Sequence, residues 1–359
     1  MKLMIDVRSL GTKPSGIGFY AFNFIKALIP FPDVNIVLLS DVAESEQICQ
    51  LQKMERVQIR LFGRQISKTV GVFRYFSFVQ EAIFEEKPDV FWEVNNLIPV
   101  RLKNPSGKII VTIHDVFPIY MPKCYGRVYP IYFRLAMHNT LHQVDAIIYD
   151  SEDTKRITER IFPRAKRIPD FLGRIVVENS EPMSISDDGY FCYVGNLEKR
   201  KGTDLLLEAY REYRIAGGTR ELLIAGKFRE PDIEKLYASV SALYPELKCL
   251  GYLSEKEKAE TLAHCGCFVF PSRAEGFGIP VVEAALVGKP LILSNLHVFT
   301  ELIGSEFNPF QLKVNPVGNL KDAMLDESHW MRVDKAWIKL RFSAENLGKR
   351  LYDFLSELE

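Results

Sequence analysis

A chain of 359 residues is long for one domain and long enough for two domains that each bury their own core. Hydrophobic residues make up 47% and charged residues 26%, a composition that is ordinary for a globular protein. The formal net charge is zero, so electrostatics gives no support to a nucleic-acid partner.

Short apolar runs alternate with longer amphipathic stretches along the whole chain. In the first half, strands are predicted at 2–7, 34–40, 57–62, 89–94, 108–115 and 145–150, with helical stretches that include 16–29, 71–86, 125–142 and 151–161. After about residue 188 the alternation restarts. Strands are predicted there at 190–195, 221–226, 247–253, 267–272 and 290–294, with helices from 201 and at 231–244, 254–264 and 278–287.

This pattern predicts the fold class and the domain boundaries. Buried strands that alternate with helices indicate a parallel sheet covered on both faces, and two such series indicate two Rossmann-like α/β domains. Ligands of such sheets bind beyond the carboxyl ends of the strands, so the cleft between the domains is the default site. The segment 163–188 breaks the pattern with prolines and polar residues and is predicted to be a linker. We place the domains at 1–168 and 169–342, with a last helix, 343–359, that can pack back on the first domain.

The sharpest candidate site is the string AEGFGIPVVEA, which follows a predicted strand. Glu275 precedes a predicted helix and Glu283 lies inside it, and each carboxylate can bridge two neighbouring hydroxyls of a sugar or ribose. Glycines let the backbone approach a ligand closely, and amides at a helix N-terminus suit phosphate oxygens. Those amides belong to Phe277, Gly278 and Ile279. The alternative is that Glu283 is a solvated helix residue and the glycines only form a turn.

A second candidate group follows the strand at 190–195. Gly195 and Asn196 are followed by three basic residues, Lys199, Arg200 and Lys201. Guanidinium and ammonium groups aimed at a cleft are natural counter-charges for a diphosphate. A solvated basic turn is the alternative.

Two further groups follow strands of the first half. Gly16 and Gly18 lie in a loop, from Lys13 onward, that opens a helix, although a tight turn explains a lone Gly-x-Gly equally well. His114 and Asp115 end a strand, where a functional pair would face the cleft, with Asp115 as the partner that orients the imidazole. A satisfied core histidine is the alternative.

Two glutamates separated by seven residues, with Gly-Phe-Gly-x-Pro after the first, resemble the motif of the family-four GT-B glycosyltransferases. The resemblance covers essentially the whole chain and is strongest at 190–303. It implies a GT-B fold, in which two Rossmann-like domains with parallel sheets face a central cleft. It also implies transfer of a hexose from a nucleotide diphosphate sugar with retention of anomeric configuration, and front-face attack by the acceptor hydroxyl is the preferred mechanism.

The resemblance also implies roles for particular residues. Glu275 would hold hydroxyls of the donor sugar and Glu283 the ribose, while the amides at 277–279 bind sugar and diphosphate. His114 would contact the donor sugar near the reaction centre, and Gly16 and Gly18 would line the cleft beside it. Glu301 stands where the family commonly has Glu, and a helix N-terminal residue explains it equally well.

The basic loop bears on the donor. Asn196 stands where one version of the family loop has Arg, which removes a phosphate contact. Arg200 and Lys201 match the Arg-Lys pair of a second version, found among mannosyltransferase-like members, and this favours GDP-mannose. The chain has no Asp-x-Asp triplet, the motif that holds a divalent ion in glycosyltransferases of the other main fold. We therefore expect no metal ion or other cofactor, with Arg200, Lys201 and helix N-termini neutralising the diphosphate.

The acceptor and the compartment follow from weaker signals. Acceptors in the resembling family are often lipid-linked glycans, and the helix predicted at 125–142 interleaves aromatic and basic residues as a membrane-surface helix does. Burial of those aromatics in the core is the alternative. Six cysteines without a CxxC pair, no signal peptide and no apolar run of roughly 18 residues favour a cytoplasmic protein. The inner face of the membrane stays an alternative location.

The sequence leaves two other functions open and disfavours a third. A nucleotide-sugar epimerase of GT-B fold would use the same donor site. A non-catalytic GT-B subunit that stabilises a partner enzyme is supported only by Asn196. A dinucleotide dehydrogenase is disfavoured because the first strand is followed by Ser-Gly-Ile-Gly-Phe-Tyr-Ala and not by Gly-x-Gly-x-x-Gly.

Overall fold

The computed structural model describes residues 1–12, 15–66, 71–104, 107–176, 184–304 and 308–358. The chain divides into two compact units: unit 1 is Met1–Val177 with Phe342–Glu359, and unit 2 is Glu178–Arg341. Each unit is built on a parallel sheet with helices between its strands. The predicted α/β class with two Rossmann-like domains is therefore confirmed.

The described residues of unit 1 form a sheet of seven parallel strands in the order β3-β2-β1-β4-β5-β6-β7. The strands are β1 Lys2–Asp6, β2 Asn35–Ser40, β3 Val57–Leu61, β4 Val90–Glu93, β5 Lys108–Ile113, β6 Ala146–Tyr149 and β7 Asp170–Leu172. The order runs outwards in one direction from β1 to β3 and in the other from β4 to β7. The chain therefore reverses its winding between β1 and β4, which makes this pair the topological switch point of unit 1.

Helices cover both faces of this sheet. They are α1 Gly16–Leu28, α2 Glu46–Gln52, α3 Gly71–Glu86, α4 Phe117–Tyr120, α5 Tyr129–Leu141, α6 Glu152–Ile161 and α14 Ala344–Leu358. Because successive strand residues point to opposite faces, Met4 and Phe91 pack with α3 and α5, whereas Leu3 and Trp92 pack with α1 and α14. Hydrophobic clusters therefore form on both faces, as expected for a sheet buried on both sides.

The described residues of unit 2 form five parallel strands in the order β10-β9-β8-β11-β12. They are β8 Tyr190–Val194, β9 Glu221–Ala225, β10 Leu247–Gly251, β11 Cys267–Phe270 and β12 Leu291–Leu293. The switch point of this sheet lies between β8 and β11. One candidate group of the second half follows β8 and the other follows β11. The topology alone therefore brings both groups to the switch point of this sheet.

The helices of unit 2 are α7 Thr203–Ile215, α8 Pro231–Leu243, α9 Glu255–His264, α10 Ile279–Val287, α11 His297–Ile303, α12 Pro316–Leu325 and α13 Lys335–Phe342, the last of which ends at the unit boundary. Local sequence sets several of their ends. Ser254 and Glu257 form a reciprocal capping box that begins α9. Among the described residues of both units, no helix has the length and the apolar character needed to cross a membrane.

The domain boundary differs from the one predicted at 168. Residues 163–167 form a short 3₁₀ helix, and β7 pairs with β6 in the sheet of unit 1. These residues are therefore not part of a linker, and unit 1 extends to Val177. A strand of three residues is too short to show a hydrophobic period, which is why the sequence pattern missed it. Part of the predicted linker, 177–183, lies outside the described residues.

The last helix, α14, belongs to unit 1 although the residues before it belong to unit 2. It packs on α1, and in the segment just after α1 the ring of Phe31 stacks on that of Tyr352 with centroids 4.1 Å apart. The hydroxyl of Tyr352 donates to the carboxylate of Asp33 over 2.9 Å. Leu347, Leu351 and Leu355 of α14 are buried in the core of unit 1.

Candidate active site

The basic loop after β8 is pressed against the end of β11. Lys199–Lys201 form a single 3₁₀ turn, and the helix that follows begins at Thr203. Gly202 between them has a φ of 72°, and a Cβ there would lie 2.0 Å from the carbonyl oxygen of Pro271. Only glycine fits that left-handed and crowded position. This glycine therefore lets the loop after β8 come close enough to the loop after β11 for its basic residues to contact Glu275.

Lys201 and Glu275 form a two-point ion pair. The Nζ of Lys201 donates to Oε1 and Oε2 of Glu275 over 2.7 and 2.6 Å. The side chains are 16% and 5% exposed, so the pair is largely shielded from water. Two residues that the sequence assigned to separate groups are thus brought into direct contact. A diphosphate that reaches this site would compete with Glu275 for the ammonium group, because both are anions seeking the same donor.

The helix α10 presents its N-terminus beside this pair. Gly278 is its N-cap with a φ of 107°, a conformation that L side chains rarely adopt. The amides of Gly278 and Ile279 belong to the first turn, where a helix supplies no carbonyl acceptor of its own. Phe277, just before them, is buried. Free amides at a helix N-terminus suit an anion, and binding of a phosphate by these amides stays a prediction.

Arg200 contacts groups of its own loop and of the loop after β11. Its guanidinium donates to Glu198 over 2.5 Å and to the carbonyl oxygen of Ala274 over 3.0 Å. These contacts tie the loop after β8 to the loop after β11. Arg200 thus helps to position Lys201 next to Glu275. Its contact with a diphosphate stays a prediction.

Glu283 is held by a lysine that the sequence analysis missed. The Nζ of Lys258, on α9, donates to Oε1 of Glu283 over 2.7 Å and also lies 2.9 Å from Glu255. Burial opposes the charge of Lys258, but Glu283 outweighs it and raises the pKa of the lysine. No local motif marks Lys258, since it stands in an ordinary charged stretch whose contact with α10 is set only by the fold.

Asn196 has a cationic neighbour. The loops after β8 and β9 continue to pair beyond the strands, with Leu197 bridging Phe228. This pairing brings the Nε of Arg229 to 3.3 Å from the Oδ1 of Asn196. The position where the resembling family can have Arg is therefore next to an arginine supplied by the loop after β9. Gly195 donates its amide to Ala225 and closes the turn.

In unit 1, His114 is buried and both ring nitrogens are engaged. Nδ1 lies 2.8 Å from Oδ2 of Asp150 and Nε2 lies 2.8 Å from the carbonyl oxygen of Val94. Each ring nitrogen therefore faces an oxygen that can accept a hydrogen bond. The backbone amide of His114 donates to Asn96 over 2.7 Å, which fixes the strand end.

The predicted orienting partner of His114 was wrong. Asp115 accepts a hydrogen bond from the amide of Phe117 over 3.1 Å at the start of α4. The carboxylate on the imidazole is Asp150, which follows β6. Adjacent residues of a strand point to opposite faces, so the neighbour in sequence was the wrong place to look.

Asp150 connects the histidine to the glycine loop. The guanidinium of Arg174 donates to Oδ2 of Asp150 and, over 2.8 Å, to the carbonyl oxygen of Gly16. Burial opposes ionisation of Asp150, but Arg174 and His114 hold its pKa below the ordinary value. Gly18 donates its amide to Ser15, the N-cap of α1, over 3.2 Å. Lys13 and Pro14 of this loop lie outside the described residues.

Glu301 lies on α11, away from the helix end that the sequence suggested. Its carbonyl oxygen accepts from Arg341, whose guanidinium also lies 3.9 Å from the carboxylate. Within the described ranges, no group of three His, Cys, Asp or Glu side chains is arranged to hold a metal ion.

The chain is similar in sequence to known glycosyltransferases. Residues 178–328 match the family model of the glycosyl transferases group 1. The chain is 24% identical over 327 residues to O-antigen chain mannosyltransferase B of Escherichia coli, covering 85% of each protein. It is 32% identical over 135 residues to the O-antigen biosynthesis glycosyltransferase WclY of Escherichia coli, covering 37% of this chain and 36% of WclY.

Solved structures show the same fold. Anabaena Alr3699/HepE in complex with UDP and glucose superposes with a TM-score of 0.74 at 15% identity, over 100% of both chains. WaaG, a glycosyltransferase involved in lipopolysaccharide biosynthesis, superposes with a TM-score of 0.70 at 12% identity, over 99% of both chains. The GT-B prediction is confirmed, and so is the prediction of glycosyltransferase activity. The chain is therefore a glycosyltransferase of GT-B fold, its residues 178–328 match the model of the glycosyl transferases group 1, and over most of its length it is similar to an O-antigen mannosyltransferase.

Proposed function

We propose that this protein transfers a hexose from a nucleotide diphosphate sugar to a glycan or lipid-linked glycan during polysaccharide synthesis, with retention at the anomeric carbon and without a metal ion. GDP-mannose is the favoured donor. Mannosyl transfer and O-antigen assembly are named for the relatives in Escherichia coli, and Arg200-Lys201 matches the loop of mannosyltransferase-like members. The observation that carries the proposal is the Lys201–Glu275 pair beside the N-terminus of α10.

The proposed chemistry needs charge stabilisation above all. As the bond to the leaving group breaks, the sugar gains oxocarbenium character and negative charge gathers on the diphosphate. Lys201 and the amides at the start of α10 would meet that charge without reorganising, because they are fixed before the reaction. Glu275, still paired with Lys201, would accept hydrogen bonds from hydroxyls of the sugar on the remaining lone pairs of its carboxylate oxygens.

Retention by front-face attack is supported by what Glu275 contacts. A double-displacement mechanism needs a carboxylate free to attack the anomeric carbon. Both carboxylate oxygens of Glu275 are engaged by the Nζ of Lys201. This engagement suits a residue that binds hydroxyls better than one that forms a covalent intermediate.

A donor screen and a linkage analysis test the proposal. Thermal shift with GDP, UDP, dTDP and ADP sugars should show a rise in melting temperature with one class of donor, and GDP-mannose is expected to give the largest. NMR of the product should show the anomeric configuration of the donor, and activity should survive EDTA. A product of inverted configuration would overturn retention. A loss of activity in EDTA that Mg²⁺ restores would overturn independence of a metal ion. Conversion of the donor to an epimer without added acceptor would favour the epimerase alternative.

A membrane contact through α5 is part of the proposal. Val128, Ile131 and Leu135, at the start and along α5, are 79%, 63% and 67% exposed. Arg127 and Arg134 are exposed beside them. Phe133 and Met137 on the opposite face are buried in the core. The helix therefore packs on the core with one face and exposes a second face that is apolar and basic.

Flotation with liposomes that contain anionic lipid tests this contact. We expect the protein to float with them at low salt and Leu135→Glu to abolish flotation. Leu243→Glu, at a residue of α8 that is 66% exposed, is the control and should float as before. Equal flotation of the two variants would remove the α5 face from the proposal.

A further inference from the structure

Arg174 is a buried cation of unit 1 that the proposed chemistry does not use. It follows β7, and only 6% of its surface is exposed. One nitrogen of its guanidinium donates to Oδ2 of Asp150, and another donates over 2.8 Å to the carbonyl oxygen of Gly16. A guanidinium presents its donors in a rigid fork, whereas an ammonium group on a flexible stem does not. Arg174 therefore links the residue after β6 to the first turn of α1.

Arg174 and His114 meet at a single oxygen atom. Nδ1 of His114 lies 2.8 Å from Oδ2 of Asp150, the same oxygen that accepts from Arg174. The other carboxylate oxygen, Oδ1, is buried and has no hydrogen-bond partner among the described residues. The contacts that orient this carboxylate are therefore both made at Oδ2. A displacement of the guanidinium would move the oxygen that the imidazole faces.

Tyr20 of α1 adds a second connection between the same groups. Its ring meets the imidazole of His114 edge to face, with centroids 4.8 Å apart. The guanidinium carbon of Arg174 lies 5.3 Å from the centroid of the Tyr20 ring. Edge-to-face and cation–π contacts both depend on the relative orientation of the two groups. The tyrosine, the imidazole and the guanidinium are thus packed as one buried cluster.

The backbone on both sides of Arg174 is anchored within unit 1. The amide of Gly173 donates to the carbonyl oxygen of Tyr149 over 3.0 Å. The amide of Val176 donates to the carbonyl oxygen of Phe342 over 3.1 Å. The guanidinium therefore extends from a fixed segment, which is what a side chain needs in order to hold other groups in place.

Stability alone gives little reason for a buried ion pair at this place. Removing two charges from water offsets much of the attraction between them, and apolar side chains of similar volume often stabilise a core as well. What Arg174 and Asp150 add is a defined geometry. His114 and the loop of Gly16 and Gly18 are the two groups of unit 1 that the family resemblance assigns to the donor sugar, and Arg174 connects them.

We propose that Arg174 is a positioning residue for sugar transfer, which holds the first turn of α1 and the imidazole of His114 in a fixed relative position. The inference rests on the proposed function and concerns only residues of unit 1. Misplacing a group at the reaction centre by about 1 Å can lower the rate about 10²-fold. Loss of the two-point contact should therefore lower kcat, and the KM of the donor should change little because its nucleotide is proposed to bind to unit 2.

Arg174→Lys tests the proposal, because lysine keeps a positive charge beside Asp150 and reaches only one of the two acceptors. Turnover is measured as nucleoside diphosphate released from the donor that gives the largest thermal shift, with methyl α-mannoside as the probe acceptor. We expect kcat to fall about 10-fold to 100-fold, with the KM of the donor within about threefold of wild type. The melting temperature should fall by no more than about 4 °C, as expected for the loss of one hydrogen bond.

Arg350→Lys is the matched control. Arg350 is an exposed arginine of α14, and its guanidinium carbon lies 5.5 Å from the centroid of the ring of Phe171 on β7. It thus contacts the same strand that precedes Arg174, but from the outer surface. Its substitution should leave kcat, KM and the melting temperature as in wild type.

NMR of the ring nitrogens in ¹⁵N-histidine-labelled protein reports on the imidazole independently of turnover. The chain has six histidines, so the signals of His114 are assigned as those lost in His114→Gln. These signals should shift in Arg174→Lys, because the oxygen that faces Nδ1 loses the guanidinium. They should not shift in Arg350→Lys.

A paired substitution covers the case in which Arg174→Lys does not fold. Arg174→Met combined with Asp150→Asn removes both charges together, so neither is left buried without its partner. This double variant should fold, lower kcat at least about tenfold and shift the signals of His114.

A fall in kcat together with shifted His114 signals would support the proposal. Wild-type kcat in the Arg174 variants would overturn it. A fall in kcat with unchanged His114 signals would overturn it as well, and so would unfolding of both variants, since Arg174 would then act only in folding. If the wild-type protein turns over no donor, the proposed function fails, and the His114 signals alone decide whether Arg174 positions the imidazole.

Discussion

The ammonium group of Lys201 sits between both carboxylate oxygens of Glu275, at 2.7 and 2.6 Å, although the two residues are 74 positions apart in the chain. The contact joins the loops that follow the two strands at the switch point of unit 2. Each residue therefore stabilises the buried charge of the other. The coupling between them can be measured with single and double variants.

Lys201→Ala should lower turnover about 10²-fold to 10³-fold, because a fixed cation is removed from the site where negative charge develops. It should also destabilise unit 2 by roughly 3 kcal/mol, since Glu275 is left buried without its partner. Adding Glu275→Gln should recover part of the stability and none of the turnover. Lys199→Ala, at an exposed residue of the same turn, is the control and should behave as wild type. Additive stability losses in the double variant would contradict the coupling.

Glu283→Gln should weaken binding of the nucleotide about tenfold, by loss of the charge-assisted contact to the ribose hydroxyls. Glu255→Gln is its matched control, since Glu255 contacts the same Lys258 but is 67% exposed at its side chain. Titration calorimetry with the free nucleoside diphosphate measures both. Equal affinities for the two variants would show that Glu283 only anchors Lys258.

Asp150→Asn should impair both stability and turnover, whereas Asp115→Asn should leave turnover within about twofold of wild type. The pH dependence separates a structural from an electrostatic effect. The pKa of Asp150 is lowered in the folded protein, so its ionised form contributes stability above the ordinary pKa of 3.8 and that contribution is lost as the pH falls below this value. Denaturant unfolding should therefore show a gap between wild type and Asp150→Asn that closes in acid. A gap that is constant with pH would refute the ionic role.

Glu93 should give the stability a pH dependence of the opposite sign. Burial and the neighbouring Asp6 outweigh Arg8 and raise its pKa from 4.5 to about 8. The folded protein then binds a proton that the unfolded chain has released, so stability should fall as the pH rises from about 4.5 to 8, by at most about 1.4 kcal/mol per unit. Glu93→Gln should flatten this slope. Urea denaturation of both proteins across that pH range measures the free energy of unfolding. The same pH dependence of that free energy in the two proteins would rule out the raised pKa of Glu93.

Much of this architecture could be predicted from the sequence. Strands such as β1 and β11 are uninterrupted apolar runs, because both faces of a parallel sheet are covered, and their regular alternation with helices fixes the fold class. The glycine-containing loop before α10 could also be predicted, because a left-handed N-cap at Gly278 strongly favours glycine.

The partners of the site residues could not be predicted. Lys258, Asp150 and Arg174 meet Glu283 and His114 only after helices and strands pack, and nothing in their local sequence marks them. Asp115 was chosen as the partner of His114 because it was adjacent, but the fold supplied a carboxylate from the neighbouring strand. The strand β7 was missed for another reason: three residues are too few for a period, and only pairing with β6 defines it.

The return of α14 to unit 1 has a consequence for biogenesis. Residues 344–358 supply Leu347, Leu351 and Leu355 to a core that otherwise consists of residues translated much earlier. During synthesis, the first unit must therefore wait with an uncovered patch beside α1 while the whole of unit 2 emerges and folds. Nascent chains stalled before residue 344 should bind chaperones or aggregate through this patch, because α14 has not yet been made to cover it.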